Sequence, residues 1–256
     1  MKLKQSSAFL LIIALAALAA CAKLKEKPVV DFVMKDFKVE SSPNCREDSA
    51  CAVFQIQYPE FLGLDTAIRK SITDRIANNL PGPFDEPIHP ESLEQLGNEF
   101  VNEFKDFIKE EPGFDFGWYI RAHVTVLISS DTLISLQVDS ETYTGGANST
   151  VTTRFVNVEP ATGTEYLLDA MLRPGYQEDL NRIAAEELHN QMQLNEINSM
   201  ESVDPDEVIN VFGITDNYGF RKEGIVFYFN MPELGSMADD PIEVIIPYEK
   251  LRDWMK

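Results

Sequence analysis

The sequence predicts an α+β fold, in which an antiparallel β-meander sheet carries two or three amphipathic helices. Two segments between residues 65 and 108 place apolar side chains three or four positions apart, as on one face of a helix. Three segments between residues 119 and 158 are rich in strand-forming residues and alternate apolar with polar side chains. The helices and strands follow each other in blocks without a regular strand-helix repeat, which is typical of the α+β class.

Residues 21–45 are predicted to form a tether, because they begin lysine-rich and end in the polar break Ser41-Ser42-Pro43-Asn44. The first strand is predicted over residues 52–58. In that segment Phe54, Ile56 and Tyr58 alternate with Val53, Gln55 and Gln57.

Two helices are predicted next. The first begins near Asp65, ends before Pro81, and has an apolar residue every fourth position: Ile68, Ile72, Ile76 and Leu80. The second begins at Ser92, which stands at capping-box spacing from Gln95. One of its faces is apolar through Leu93, Leu96, Phe100, Phe104, Phe107 and Ile108. We interpret these phenylalanines as core residues and not as a ligand groove.

The meander follows over residues 119–128, 132–143 and 150–158, with Ser129-Ser130-Asp131 as the first turn. A further helix is predicted over residues 176–192, and Asp204 before Pro205 favours another helix start. Strands near residues 211–215, 225–229 and 242–246 and a short helix from Tyr248 complete the chain.

The first residues are typical of an export signal. Lys2 and Lys4 precede an apolar run over residues 8–20 that is too short to span a bilayer. Leu18-Ala19-Ala20 before Cys21 resembles a lipobox, so residues 1–20 are predicted to be a lipoprotein signal peptide and Cys21 the lipidated residue. An ordinary cleaved signal peptide with a coincidental cysteine is the alternative. Ala22 is not acidic, which favours the outer membrane in a Gram-negative host.

Cys45 and Cys51 remain as an even pair once Cys21 carries lipid. In an oxidising compartment we expect them to form a disulfide. Their spacing is neither that of a zinc knuckle nor Cys-x-x-Cys, which argues against a metal or redox pair.

The chain is strongly acidic, with a formal net charge of -20. Removing Lys2 and Lys4 with the signal peptide leaves 20 basic against 42 acidic residues, a net charge of about -22. Such a charge disfavours nucleic acid and anionic lipid as partners and allows a basic protein. It also serves simply to keep a protein soluble.

Known catalytic motifs are absent from the sequence: it has no Gly-x-Ser-x-Gly, no His-Glu-x-x-His, no phosphate-binding loop and no dinucleotide fingerprint. His89, His123 and His189 are far apart in sequence. We therefore expect no catalytic residue, metal or cofactor. A pair of carboxylates acting on glycan needs no motif and stays open.

Several short motifs occur in an informative order. They are Tyr143-Thr144-Gly145-Gly146-Ala147, the segment 162–169, and the segments 212–216, 224–229 and 241–248. Together they resemble the extracytoplasmic domain that RsiV-type anti-sigma factors share with the non-catalytic part of PdaC-type cell-wall deacetylases. The resemblance spans residues 50–250. Asn148 stands where the family commonly has histidine, so that histidine's role is not carried over.

This resemblance implies an α+β fold and an envelope location, with lysozyme as the ligand of the anti-sigma members. It divides the chain into a PdaC-type unit over residues 46–162 and an RsiV-type unit over residues 163–256, packed as one body. It also gives a candidate binding loop at Tyr143, Thr144, Gly145, Gly146 and Asn148. The glycines alternatively form only a turn with positive φ.

The predicted function is that of a non-enzymatic cell-envelope lipoprotein that binds a protein, such as a lysozyme, or a peptidoglycan fragment. A carboxylate-dependent enzyme acting on cell-wall glycan and a structural envelope scaffold are the alternatives.

Overall fold

The computed structural model describes residues 29–43, 45, 50–82, 90–195, 209, 213–234 and 240–256. The predicted lipidation site Cys21, His89 and the helix start at Asp204 lie outside these residues. None of the described helices is long and apolar enough to cross a bilayer.

The described residues form two sheets with helices packed against them, so the predicted α+β class is confirmed. The larger sheet has the order β1-β2-β3-β4-β5, formed by Phe32–Glu40, Ala52–Phe61, Trp118–Ser129, Ile134–Tyr143 and Thr150–Val158. The smaller sheet has the order β6-β7-β8, formed by Tyr218–Phe220, Gly224–Phe229 and Ile242–Pro247. Within the described residues, the α-helices with defined bounds are α1 to α5, formed by Thr66–Asn78, Leu93–Glu110, Leu168–Met171, Gln177–Asn195 and Met231–Leu234.

The predicted antiparallel meander is present as β3, β4 and β5. The pairing of β2 with β3 is parallel instead, with Ala52 opposite Trp118 and Gln57 opposite His123. A parallel pair needs a long crossover, and α1 and α2 provide it by returning the chain to the starting end of β2. The helices are therefore a connection within the sheet and not a separate block.

The tether prediction is wrong for Phe32–Glu40, which form β1 antiparallel to β2. On the helix side of the sheet, Phe37 packs edge-on against Phe54, with 6.0 Å between ring centroids. Gly97 of α2 permits this approach, because a Cβ there would lie 2.9 Å from Val39 Cγ2. Most of β1 is exposed and its charged residues interrupt the apolar period, so its strand signal in the sequence is weak.

The larger sheet buries one face, here called the inner face, against α1 and α2. Trp118 is the centre of this core, with its ring 5.5 Å from Phe104 and 5.1 Å from Phe107. The prediction that the α2 phenylalanines are core residues is thus confirmed. Ser92 caps α2, because its hydroxyl accepts a hydrogen bond from Gln95 N at 3.1 Å.

The smaller sheet packs against α4, which confirms the helix predicted from residue 176. The predicted helix from Tyr248 is present as a 3₁₀ helix over Tyr248–Leu251. The strand expected near residues 211–215 is wrong for 213–215, and β6 begins only at Tyr218. Gly213 has φ 64°, a left-handed conformation that interrupts extended structure there.

The two sheets meet at β5, the outer strand of the larger sheet. Asn230, only 2% exposed, accepts a hydrogen bond from Thr153 N at 2.8 Å and donates one to Thr153 O at 3.0 Å. Nearby, the Ser135 hydroxyl accepts from Phe220 N at 2.9 Å. The smaller sheet therefore covers the outer face of the larger sheet at β5 and at the start of β4.

Candidate functional site

Away from the smaller sheet, the side chains on the outer face of the larger sheet are exposed or half-buried within the described residues. Side chains alternate along β3, so Trp118 and Ile120 point to the core while Tyr119, Arg121 and His123 point outward. We call this surface the open outer face, and it consists of Asp36, Lys38, Gln55, Gln57, Tyr119, Arg121, His123, Asp139, Glu141 and Tyr143.

The register of the strands arranges these side chains in rows. Arg121 lies between Gln55 of β2 and Glu141 of β4. His123 lies between Gln57 and Asp139 in the next row. Each row thus places an amide, a nitrogen-bearing ring or guanidinium group, and a carboxylate side by side across the sheet.

An aromatic pair marks one end of the face. The rings of Tyr119 and Tyr143 are stacked with 5.6 Å between centroids and 25° between planes. The Arg121 guanidinium carbon lies 4.2 Å from the centre of the Tyr119 ring, within cation–π distance. The Tyr119 hydroxyl donates to Glu141 Oε1 at 2.9 Å, so all four side chains are held in one array.

The pKa shifts in this array agree with its hydrogen bonds. Burial raises the pKa of Tyr119 above its ordinary value, and the bond to Glu141 adds to the effect. The pKa of Glu141 is lowered by hydrogen bonds from Ser149 and Tyr119. Glu141 therefore stays charged and acts as an acceptor.

The candidate binding loop continues from this array. Gly145 and Gly146 have φ 102° and 113°, as expected for the predicted turn. The Tyr143 hydroxyl donates to Gly146 O at 3.0 Å and closes the loop. Thr144 is half-buried, whereas Gly146 and Asn148 are exposed. The contact of this loop with a ligand stays a prediction.

The histidines do not form a common site in the described part of the chain. His123 lies on the open outer face, and His189 lies on α4 beside a groove of about 940 Å³. Among the residues described, no group of three or more His, Cys, Asp or Glu could hold a metal ion.

The predicted disulfide between Cys45 and Cys51 is confirmed, with 5.8 Å between the Cα atoms. It lies in the connection between β1 and β2. Cys51 directly precedes β2, and its carbonyl oxygen accepts a hydrogen bond from Trp118 N at 2.9 Å, so the disulfide borders the start of both parallel strands.

Sequence reasoning selected Tyr143 and the glycines, noted His123 only as one of three distant histidines, and did not select Arg121, Gln55 or Glu141. Each of these occupies a polar position of an alternating strand, which is the pattern of any exposed sheet face. The antiparallel register of β3 with β4 places Glu141 beside Arg121. The parallel register of β2 with β3, which has no local signal in the sequence, adds Gln55 on the other side.

Comparisons with known proteins agree with this fold. The family model "Deacetylase PdaC" matches residues 45–150, and the model "Protein of unknown function (DUF3298)" matches residues 169–249. No curated protein matches the chain significantly.

Two solved structures of DUF3298 family proteins are similar. The protein from Bacteroides fragilis NCTC 9343 has a TM-score of 0.63 and 19% identity, covering 90% of this chain and 96% of its own. The protein from Pseudomonas aeruginosa PAO1 has a TM-score of 0.62 and 17% identity, covering 89% and 94%. At these identities the likeness shows the fold alone. The chain thus carries a PdaC region followed by a DUF3298 region, which is the RsiV-like domain pair.

Proposed function

We propose that the chain is an exported lipoprotein, held at the cell envelope through Cys21, and that it works as a non-enzymatic binding module. Its binding surface is the open outer face. The observation that carries this proposal is the array of Tyr119, Tyr143, Arg121 and Glu141 on a rigid sheet. In a Gram-negative host, Ala22 favours anchoring in the outer membrane.

The composition of the array supports binding. Tyrosine and arginine are the side chains that most often dominate the energy of an interface. Here their positions are already held by a ring stack, a cation–π contact and a hydrogen bond. A ligand therefore does not have to order them, which reduces the entropic cost of binding.

Two ligand classes fit this surface at the cell envelope. A basic protein such as a lysozyme is attracted by the net charge of -20. A peptidoglycan fragment offers hydroxyl and amide groups, which suit the mixed donors and acceptors of Gln55, Arg121 and Glu141. The resemblance to RsiV-type proteins adds support for lysozyme.

The test is retention of the purified chain, made as the Cys21→Ala variant, on immobilised lysozyme and on insoluble peptidoglycan at physiological salt. One of the two should retain it, and Arg121→Ala should weaken that retention at least tenfold. Arg182→Ala is the matched control, because Arg182 is exposed on α4 and pairs with Glu186 at 2.6 Å. The proposal fails when neither material retains the chain, or when both variants bind equally.

The alternative enzyme acting on cell-wall glycan needs a carboxyl group that donates a proton. Glu141 is held charged by two hydrogen bonds, which suits ligand anchoring better than proton donation. Incubation of peptidoglycan with the pure chain should leave the muropeptide profile unchanged. New fragments would favour the enzyme.

A further inference from the structure

A cluster of exposed apolar side chains lies where the described chain enters the fold. Nine large apolar side chains are exposed in the described residues, and five of them belong to this one region, so they are not scattered as on an ordinary surface. We call this region the entry corner, and it consists of Val29, Phe32, Val33, Met34 and Leu62, which are 67%, 38%, 40%, 39% and 44% exposed.

The entry corner is continuous. Phe32 lies opposite Phe61 across the β1–β2 pair, with 5.7 Å between the ring centroids. Leu62, the residue after Phe61, donates its N–H to Asp31 O at 2.7 Å and so lies beside the start of β1. Phe32 and Met34 share one face of β1 and Val33 points to the other, so the apolar side chains surround the end of this edge strand on both faces.

We propose that the entry corner rests on the headgroup region of the bilayer that carries the lipid anchor. This inference depends on the proposed lipidation of Cys21. Only seven residues lie between Cys21 and Val29, and the eight residue steps from Cys21 to Val29 reach about 28 Å at full extension. A domain of this size is on the order of 40 Å across. The entry corner is therefore the part of the domain that the anchor holds nearest to the membrane.

The charges around the entry corner permit this contact in spite of the acidic chain. On β1 itself, Lys35 and Lys38 balance Asp36 and Glu40. Glu60, opposite Val33, is paired with Lys35 at 3.4 Å and with Arg69 at 3.6 Å. The preceding segment adds Lys23, Lys25 and Lys27 against Glu26. Lysines close to a membrane surface are attracted to its anionic headgroups.

A second copy of the chain is the competing occupant, because no described strand pairs with the outer side of β1. The hydrogen bonds from Leu62 N to Asp31 O and from Ser41 N to Ala52 O show that the odd-numbered residues along β1 direct their backbone groups toward β2. By alternation, Phe32, Met34 and Asp36 direct their N–H and C=O groups outward. The tether length favours the membrane, since it brings the bilayer within reach of every copy at any protein density.

The experiment places a tryptophan at Met34 and measures its quenching by phosphatidylcholine with brominated acyl chains. Val151→Trp is the matched control, because Val151 is 63% exposed and lies on β5, the opposite edge of the sheet. The mature chain is joined to vesicles at residue 21, through its own acyl chains or, where mass spectrometry finds none, through a maleimide lipid. Mass spectrometry thus detects a failure of lipidation, whereas bromine quenching detects a failure of membrane docking. Retention on lysozyme or peptidoglycan tests the proposed binding function in a separate experiment.

We expect several-fold stronger quenching in Met34→Trp than in Val151→Trp, with no dependence on protein density. Adding Phe32→Asp, which lies on the same face of β1 as residue 34, to Met34→Trp should abolish the difference. Equal quenching of the two variants overturns the proposal. So does protection of the Met34→Trp indole from aqueous iodide that grows with protein density without bromine quenching, because that result identifies a second copy as the occupant.

Discussion

The Asn217 side chain replaces a neighbouring strand at Phe155 of β5: its Oδ1 accepts a hydrogen bond from Phe155 N at 3.2 Å. Its Nδ2 donates to Thr153 O at 2.9 Å and to Tyr228 O at 3.0 Å, so one buried amide joins the two sheets. The edge of β5 is thereby closed against pairing with another chain.

The first prediction concerns this amide. Asn217→Ala leaves Phe155 N–H without its partner in a buried place, so the free energy of unfolding should fall by about 2–4 kcal/mol. Asn98→Ala, at an exposed position of α2, should change it by less than about 0.5 kcal/mol. Urea unfolding of both variants measures the difference. Equal free energies of unfolding for the two variants would mean that the hydrogen bonds of the Asn217 side chain do not stabilise the contact between the two sheets.

Gly145 provides a second test. Gly145→Ala forces a side chain into φ 102° and within 2.9 Å of Phe114 Cζ, so we expect a loss of about 1–3 kcal/mol. Gly113→Ala is the control, because an added Cβ there meets nothing within 4 Å. Thermal unfolding of the two variants gives the comparison, and a Gly145→Ala protein as stable as the control contradicts the described loop.

The disulfide should contribute only locally. Replacing both Cys45 and Cys51 by serine should lower the free energy of unfolding by about 2 kcal/mol, because the enclosed loop is short. Reductant should destabilise the natural chain by a similar amount and leave the double variant unchanged. A reductant effect on the double variant would show that the lost stability has another source.

The pair of Tyr119 and Glu141 predicts a dependence on pH. The folded pKa of Glu141 lies below 4.5, so its contribution to stability is present above that pH and is lost as the pH falls through the folded pKa. Tyr119→Phe removes one hydrogen bond and should move the pKa of Glu141 upward, which carboxyl-carbon NMR titration measures. An unmoved pKa would leave Ser149 and the charge of Arg121 as the causes of the shift.

The fifth prediction concerns the anchor. Cys21→Ala removes the acceptor of the lipid, so the folded chain should move from the membrane to the soluble fraction of cells. Immunoblots of the fractions, with the natural chain alongside, measure the transfer. A variant that stays in the membrane fraction would remove lipidation from the proposed function.

Periodic residues account for what could be predicted from sequence. The fourfold spacing of Ile68, Ile72 and Ile76 predicted α1, and the alternation around Ile134, Leu136 and Val138 predicted β4, because each side chain packs against its own local neighbours. The strand β1 was missed because most of its side chains are exposed and its charged residues interrupt the apolar alternation that marks a strand. The open outer face was missed because Arg121 and Gln55 become neighbours only through a crossover of two helices, which is a property of the whole fold.

That crossover also sets an order of events. In the proposed export from the N-terminus, β1 and β2 emerge first, and the Cys45–Cys51 disulfide can close their hairpin before the later strands emerge. The parallel partner of β2 arrives only after both helices have crossed, so Tyr119 and Arg121 reach Gln55 late. A chain that is truncated or stalled before Tyr143 therefore lacks part of the open outer face, and under the proposed function it would lack the ligand surface as well.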